Sequence, residues 1–573
     1  MEAFGLARLY RTVRHLRASQ IFWRIYYLLL SVLEKSPFMA RKYGPLCRME
    51  LPSNLTPVLG PPWPTSRAAN YLGGGAFIFL NQRFDTAGSW FPAGAPLLWL
   101  FNLHYFAYWP QLKEAKLFET LVSDWLQNVR PLHPIAWHPY PTSRRICHWI
   151  WAYSHFQVGL SPDFKKRLVS SLYKQGLFLS RRLEYHHLGN HLVANGTALV
   201  LAGVFLRHSE FLSKGLAVLE RQLKEQVLPD GGHYERSPMY HSLVLGDLLA
   251  IWQALRSSGY VVPAWLSGAA LSMNRFLEQI IIDGKVPLLN DSTLDGIGSA
   301  VEILKQTAAL SAEPLALTEK AGDFLLAQSG LYVYRHSELK LVFDFGPLGP
   351  DFLLAHAHND TLSFCLNLQG KEILTDSGVF EYAAGPWRDY FRSARAHNVL
   401  YLTGLEPNEV WKSFRVGHRG YPERVNYSPQ RREISAFHNS YRHLGVMIGR
   451  RIRIIPPAKG VIIEETVESK REFDFESNLH FAPDVRVLSV QSYNAYWEYV
   501  MQAEGFSFKV VVAKGDHEVQ EQRSWYAPWF GLKEGRLCLR IQGKLSPPLT
   551  NFKLAVLNAG VELDDPQVRE VWL

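Results

Sequence analysis

"GLYVYRHSELKLVFDFG", residues 330–346, is where the pattern of this chain changes. β-Branched and aromatic residues stand there at near alternation, the period of a strand rather than of a helix. "RIRIIPPAKGVIIEETVES" (451–469), "FSFKVVVAKGD" (506–516) and "NFKLAVLNAG" (551–560) repeat the pattern, with Gly, Pro, Asp and Asn turns between. An antiparallel sheet domain, a sandwich, is therefore predicted from residue 329 to 573.

Upstream of that switch the period is helical. "SPDFKKRLVSSLYKQGLFLSRRL" (161–183) opens with Ser161 as N-cap and Pro162 at the first helical position, and sets Leu168, Leu172 and Phe178 near one face. "NHLVANGTALVLAGVFL" (190–206) follows, with Gly196 and Gly203 among small residues that permit close helix approach. "FLSKGLAVLERQLKEQVL" (211–228) ends in the turn "PDGG", and "YHSLVLGDLLAIWQAL" (240–255) begins the next helix. Helices with short connections and no strand pattern imply an α-helical domain of paired helices over 113–328. Residues 1–112, mixed and rich in Pro, Trp and Tyr, are expected to cap it.

The chain has 573 residues, too many for one hydrophobic core, so two or three domains are expected. It is 47% hydrophobic and 20% charged, ordinary for a folded soluble chain, but 13% aromatic with 17 Trp, which suits sugar rings. The formal net charge of +9 favours polyanionic partners. No zinc-finger spacing, glycine-rich phosphate loop or long Lys/Arg block outside the N-terminus occurs, so nucleic acid is not expected. The four cysteines, Cys47, Cys147, Cys365 and Cys538, are scattered and form no CxxC pair, which indicates neither a disulfide framework nor a thiolate zinc site. The N-terminal "LARLYRTVRHLRASQIFWRIYYLLLSVLEKS" (6–36) is basic and then apolar, but Arg24 interrupts the run and no small-residue cleavage site follows. It reads as an amphipathic helix, packed on the body of the protein or lying on a membrane surface.

Three clusters carry chemistry. "EYHHLGNHLVANG" (184–196) puts Asn190 and His191 at a helix start, where free backbone N–H groups favour a bound carboxylate; both residues equally suit simple capping and surface roles. "PDGGHYERSPMYHSLVLG" (229–246) crowds His233, Tyr234, Glu235, Arg236, Tyr240 and His241 at a second helix entrance. Tyr240 is either a packed tyrosine or an acid–base group whose pKa, normally about 10, is lowered by Arg236 and His241. "AHAHNDTLSF" (355–364), read as the start of a strand, would place His356 and His358 on one face. With Asp376 in "EILTDSGVF" and His397 in "RSARAHNVL", it suits a zinc site or a packed sheet interior.

With these clusters in hand, the chain resembles the heparinase II/III and alginate lyase superfamily of polysaccharide lyases from about residue 90 onward. The resemblance rests on the order and spacing of "LWLFNLHYFAYW", "HPYPTSRRICHWI", "HHLGNHLVANGTALVLAG", "LPDGGHYERSPMYH", "AHAHNDTLSF", "LTDSGVFEY" and "PWRDYFRSARAHNVL". It implies an incomplete (α/α) toroid followed by an antiparallel β-sandwich. It implies cleavage of an acidic, uronate-containing polysaccharide by β-elimination, with Tyr240, His356, His191 and Asn190 as catalytic residues. Arg236, Tyr382 and Arg388 would line the substrate. His358, Asp376 and His397 would hold a mainly structural Zn2+, leaving His356 to the cleft. The basic N-terminal section is similar to uncharacterised members associated with bacterial surface-polysaccharide synthesis. The missing signal peptide points to the cytoplasm or a membrane surface, whereas the resemblance points to the periplasm. Two other functions fit the same residues: a zinc-dependent glycan hydrolase, and a non-catalytic glycan-binding or assembly factor on the same fold.

Overall fold

The structure, a computed structural model, describes residues 2–33, 55–60, 69–86, 88–295, 299–311, 320–336 and 338–572. Cys47 lies outside the described residues; the other three cysteines are buried and unpaired.

Helices α1 (Glu2–Val13) and α2 (Ala18–Leu33) come first. A small antiparallel sheet, β1 (Ala69–Gly73), β2 (Ala76–Phe79) and β3 (Gln82–Asp85), and helix α3 (Leu97–Tyr105) follow. The helical domain continues with α4 (Ala115–Asn128), α5 (Pro139–Phe156), α6 (Pro162–Arg181), α7 (Gly189–Phe205), α8 (Ser209–Gln226), α9 (Pro238–Ser257), α10 (Ala264–Ile280) and α11 (Ala300–Ser311). Val58, Phe77, Phe79 and Trp99 share one core with these helices, so the N-terminal section caps the helical domain. At α6 the Ser161 hydroxyl accepts the Phe164 N–H at 3.3 Å, as its N-cap position demands. Gly203 of α7 lies so close to α8 that a Cβ there would come within 2.4 Å of the Leu212 nitrogen. The small residues read in α7 therefore set the spacing of this helix pair.

The sheet domain starts earlier than residue 329. β4 (Gly322–Leu326) leads a five-stranded antiparallel sheet with β5 (Leu331–His336), β6 (Leu339–Asp344), β7 (Phe364–Leu368) and β8 (Lys371–Leu374). Residues 331–334 are all buried, because the two faces of β5 serve two cores. Leu331 and Val333 join the core of the helical domain. Tyr332 and Tyr334 join the core of the sandwich. Alternation here therefore sorts side chains between two interiors rather than between interior and solvent. Behind this sheet lie an eight-stranded and a four-stranded antiparallel sheet. The last strand, Leu549–Asn558, pairs in the middle of the larger one, between Gly460–Ser469 and Phe506–Ala513.

Helices α1 and α2 bind both domains. Arg8 and Arg11 donate to the Glu409 carboxylate of the sheet domain at 2.6–2.9 Å. The Tyr27 hydroxyl donates to the Leu183 carbonyl of the helical domain, and Trp23 stacks on Tyr185 at 4.9 Å. The opposite face of α2 exposes Phe22, Ile25, Leu28, Leu29 and Val32. No helix among the described residues is long and apolar enough to cross a membrane.

Candidate active site

"AHAHNDTLSF" is a loop up to Ser363, and the strand begins at Phe364. The expectation of one strand face for both histidines fails here, because residues 355–363 reach from β6 towards the helical domain instead of pairing in the sheet. They converge on Asp291, in the connection between α10 and α11. His356 Nδ1 lies 3.0 Å from Asp291 Oδ2, and His358 Nε2 lies 2.8 Å from Asp291 Oδ1. Arg388, on helix α12 (Pro386–Arg392), closes both oxygens of this carboxylate with its guanidinium. Arg388 is fully buried and also donates to the Ser413 carbonyl, so its guanidinium is engaged in holding Asp291. Burial would raise the Asp291 pKa, but Arg388 and the two imidazoles outweigh it and keep the group well below the usual carboxylate range.

The other nitrogen of His356 meets Glu235 Oε2 at 3.1 Å. With a carboxylate on each nitrogen the ring is a double donor, the form of an imidazolium. Burial opposes that charge, but the bonds to Asp291 and Glu235 prevail and hold the pKa up at about 9. Glu235 accepts in turn from the Asn190 backbone N–H at 2.7 Å and from Asn190 Nδ2 at 2.9 Å. The anion at the start of α7 is therefore the protein's own Glu235. Gly189 makes this approach possible: it adopts φ +59°, and a Cβ there would stand 2.0 Å from Glu235 Oε1.

Tyr240 sits in the first turn of α9, its N–H accepted by the Ser237 cap at 3.3 Å. Its ring stacks on His356 with centroids 3.8 Å apart, and its hydroxyl lies 3.1 Å from that of Tyr382. Burial holds the Tyr240 phenol well above its ordinary range, so it is protonated at neutral pH. Arg236 and His241 do not attend it. The Arg236 guanidinium donates to the Gln328 carbonyl at 2.9 Å, and His241 donates to the Met273 carbonyl at 3.0 Å, its pKa lowered by burial to about 3. His191, one residue beyond Asn190, lies tilted against Tyr140 with ring centroids 4.5 Å apart and places Nδ1 2.9 Å from Glu184 Oε1.

His358 and His397 come together as expected, their rings 5.3 Å apart. The third group within 4.8 Å of both is Asp360; Asp376 lies at 3.0–3.1 Å from His397 Nδ1. His358 Nδ1 and His397 Nε2 are buried and have no hydrogen-bond partner, and with these carboxylates the donor set fits zinc. Asp291 then orients His358 through its other nitrogen, as ligand histidines require. Sequence reasoning missed Glu184, Asp291 and Asp360 and gave Glu235 no role. Asp291 did carry a signal: Asn290, Asp291, Ser292 and Thr293 form a polar run directly after Leu289, and all are buried.

The family model described as heparinase II/III N-terminus matches residues 109–312, and the one described as heparinase II/III-like, C-terminal, matches residues 318–552. A heparin-sulfate lyase of Pedobacter heparinus is 25% identical over 314 residues, which cover 49% of this chain and 47% of that protein. FtsZ-localized protein C of Caulobacter vibrioides is 26% identical over 376 residues, 61% of this chain and 62% of that protein. The chain thus spans about half the length of the heparin-sulfate lyase it matches. A solved heparinase III superposes with a TM-score of 0.67 over 83% of this chain and 80% of its own, at 16% identity, a likeness of fold.

Proposed function

The chain belongs to the heparinase II/III family, and on that premise we propose that it is a polysaccharide lyase which cleaves a uronate-containing acidic polysaccharide by β-elimination. The observation that carries the reading is Tyr240, its hydroxyl in contact with Tyr382 and its ring stacked on His356, which shares Glu235 with Asn190. Removing the C5 proton of a uronate builds negative charge beside an existing carboxylate, so the site must supply fixed donors there. Asn190 spends one amide hydrogen on Glu235 and keeps the second for that carboxylate; the His356 ring adds positive potential.

The proton roles follow from which nitrogens are engaged. His356 has no lone pair left for a base. In its neutral form His191 donates from Nδ1 to Glu184 and presents the Nε2 lone pair to take the C5 proton. The C5–H electron pair forms the C4=C5 double bond, the C4–O4 bond breaks, and Tyr240 protonates O4. Solvent then returns the proton from His191 to Tyr240. Zinc, when held by His358, His397 and the Asp360 or Asp376 carboxylate, cross-links the loop that carries His356.

The hydrolase reading has less support, since His358, Asp360 and His397 are at most 1% exposed and offer no surface to a glycan. The match to FtsZ-localized protein C, a name that states a location and no reaction, favours a non-catalytic protein on this fold as the second reading. A panel of uronate polysaccharides assayed for the ultraviolet absorbance of an unsaturated uronate separates them: absorbance on one polymer supports the lyase, and none on any polymer with zinc-loaded protein rejects it. The outward apolar face of α2 favours contact with a lipid surface, which co-sedimentation with anionic vesicles tests.

A further inference from the structure

Among the described residues, His and carboxylate groups converge at a second place, in the helical domain. His138, Glu184 and His187 bring one ligand atom each within 4.8 Å of the others. Glu184 is fully buried, whereas His138 and His187 are half-buried, so the group is reachable from solvent. His138 Nδ1 lies 3.8 Å from Glu184 Oε1; its lone pair meets only the Tyr140 N–H at 3.4 Å, a long cap contact that a metal ion would displace. The histidines around this one carboxylate outnumber what an ion pair uses: His191 already takes Oε1, and Asn195 Nδ2 takes Oε2 at 3.0 Å. His186 packs on His187 with centroids 4.1 Å apart, and its Nδ1 is buried without a partner.

We propose that His138, His187 and Glu184 bind a divalent transition-metal ion of the zinc class, separate from the sheet-domain set. Two imidazoles and one carboxylate are the donors of zinc sites that keep one position open. A metal about 2 Å from each donor spans the 3.8 Å between His138 and Glu184 with little movement. The ion shares Glu184 with His191, so its occupancy is coupled to the orientation of the residue given above as the base. The binding site itself does not depend on the lyase reading.

Metal content of the full chain tests it. Chelator-stripped protein is titrated with Zn2+ and, after removal of free metal, counted by mass spectrometry. Two equivalents are expected for the wild type, falling to one in His138→Ala and in His187→Ala. These half-buried rings are chosen because Glu184→Gln would also disturb the buried Asn195. Co2+ absorption of the wild type gives a reading that needs no variant: two successive binding phases support the site. Wild-type stoichiometry in both histidine variants overturns it.

Discussion

Asp291 Oδ2 faces His356 Nδ1 at 3.0 Å, and the same carboxylate takes His358 with its other oxygen. Two histidines two residues apart thus meet one buried charge, one turning its remaining nitrogen to Glu235 and the other grouped with Asp360 and His397. Asp291→Asn keeps the shape and removes the charge, leaving the buried Arg388 guanidinium unpaired. Breaking a buried pair in this way costs about 3–5 kcal/mol. Urea unfolding should show a loss of that order, and Arg388→Met in the same background should restore part of it.

Tyr240→Phe removes only the hydroxyl that meets Tyr382. Turnover on the responsive polysaccharide should fall by about 10²–10⁴-fold, the usual contribution of a positioned proton donor. Zinc content and melting temperature should stay at wild-type values. Unchanged turnover would transfer the acid role elsewhere.

His356 and His358 should separate in metal content. His358→Ala removes a proposed ligand whose Nδ1 is buried and otherwise unpartnered, so the proposed sheet-domain zinc should be lost and the melting temperature lowered. His356→Ala should keep that zinc and lose activity. Equal metal loss in both would place both rings on one ion.

These contrasts show what the sequence could and could not convey. The change of period near Gly330 and the Ser161 cap are local, so the helical and sheet halves were legible. The boundary was misplaced because β4 pairs with a strand that lies beyond it, and pairing is not a local property. The candidate site residues Tyr240, His356, His358 and His397 lie in recognisable motifs. Their partners Asp291, Glu235 and Glu184 lie in other segments, and only the docking of the two domains makes them partners. The bond of Arg388 to Asp291 was hidden for the same reason, since its carboxylate partner stands 97 residues away in sequence.

Glu235 gives the structure an acid limit. Burial would raise its pKa, but His356 and the Asn190 N–H hold it down at about 2, against about 4.3 for an unfolded glutamate. Its folded pKa is depressed, so its contribution is complete above about pH 4.3 and is lost as the pH falls through about 2. The stability difference between wild type and Glu235→Gln should narrow by on the order of 3 kcal/mol over that window. Denaturant midpoints measured at steps of pH give the curve, and a constant difference would remove Glu235 from the linkage.

Gly189→Ala tests the junction at its narrowest point. The added methyl meets Glu235 Oε1 at 2.0 Å and Leu353 Cδ2 at 2.7 Å, and the left-handed backbone alone costs a side chain about 1–2 kcal/mol. Glu235 cannot yield without releasing Asn190 and His356 together, because their three contacts share its carboxylate. Stability should drop by more than the backbone cost, and activity should drop further than stability accounts for, since two cleft residues lose their orientation. Gly268→Ala is the control: it lies in α10 with nothing within 4 Å of a new Cβ, and alanine there should stabilise by about 0.5–1 kcal/mol. Equal behaviour of the two variants, by thermal melting and ultraviolet assay, would mean that the Gly189 approach does not govern the site.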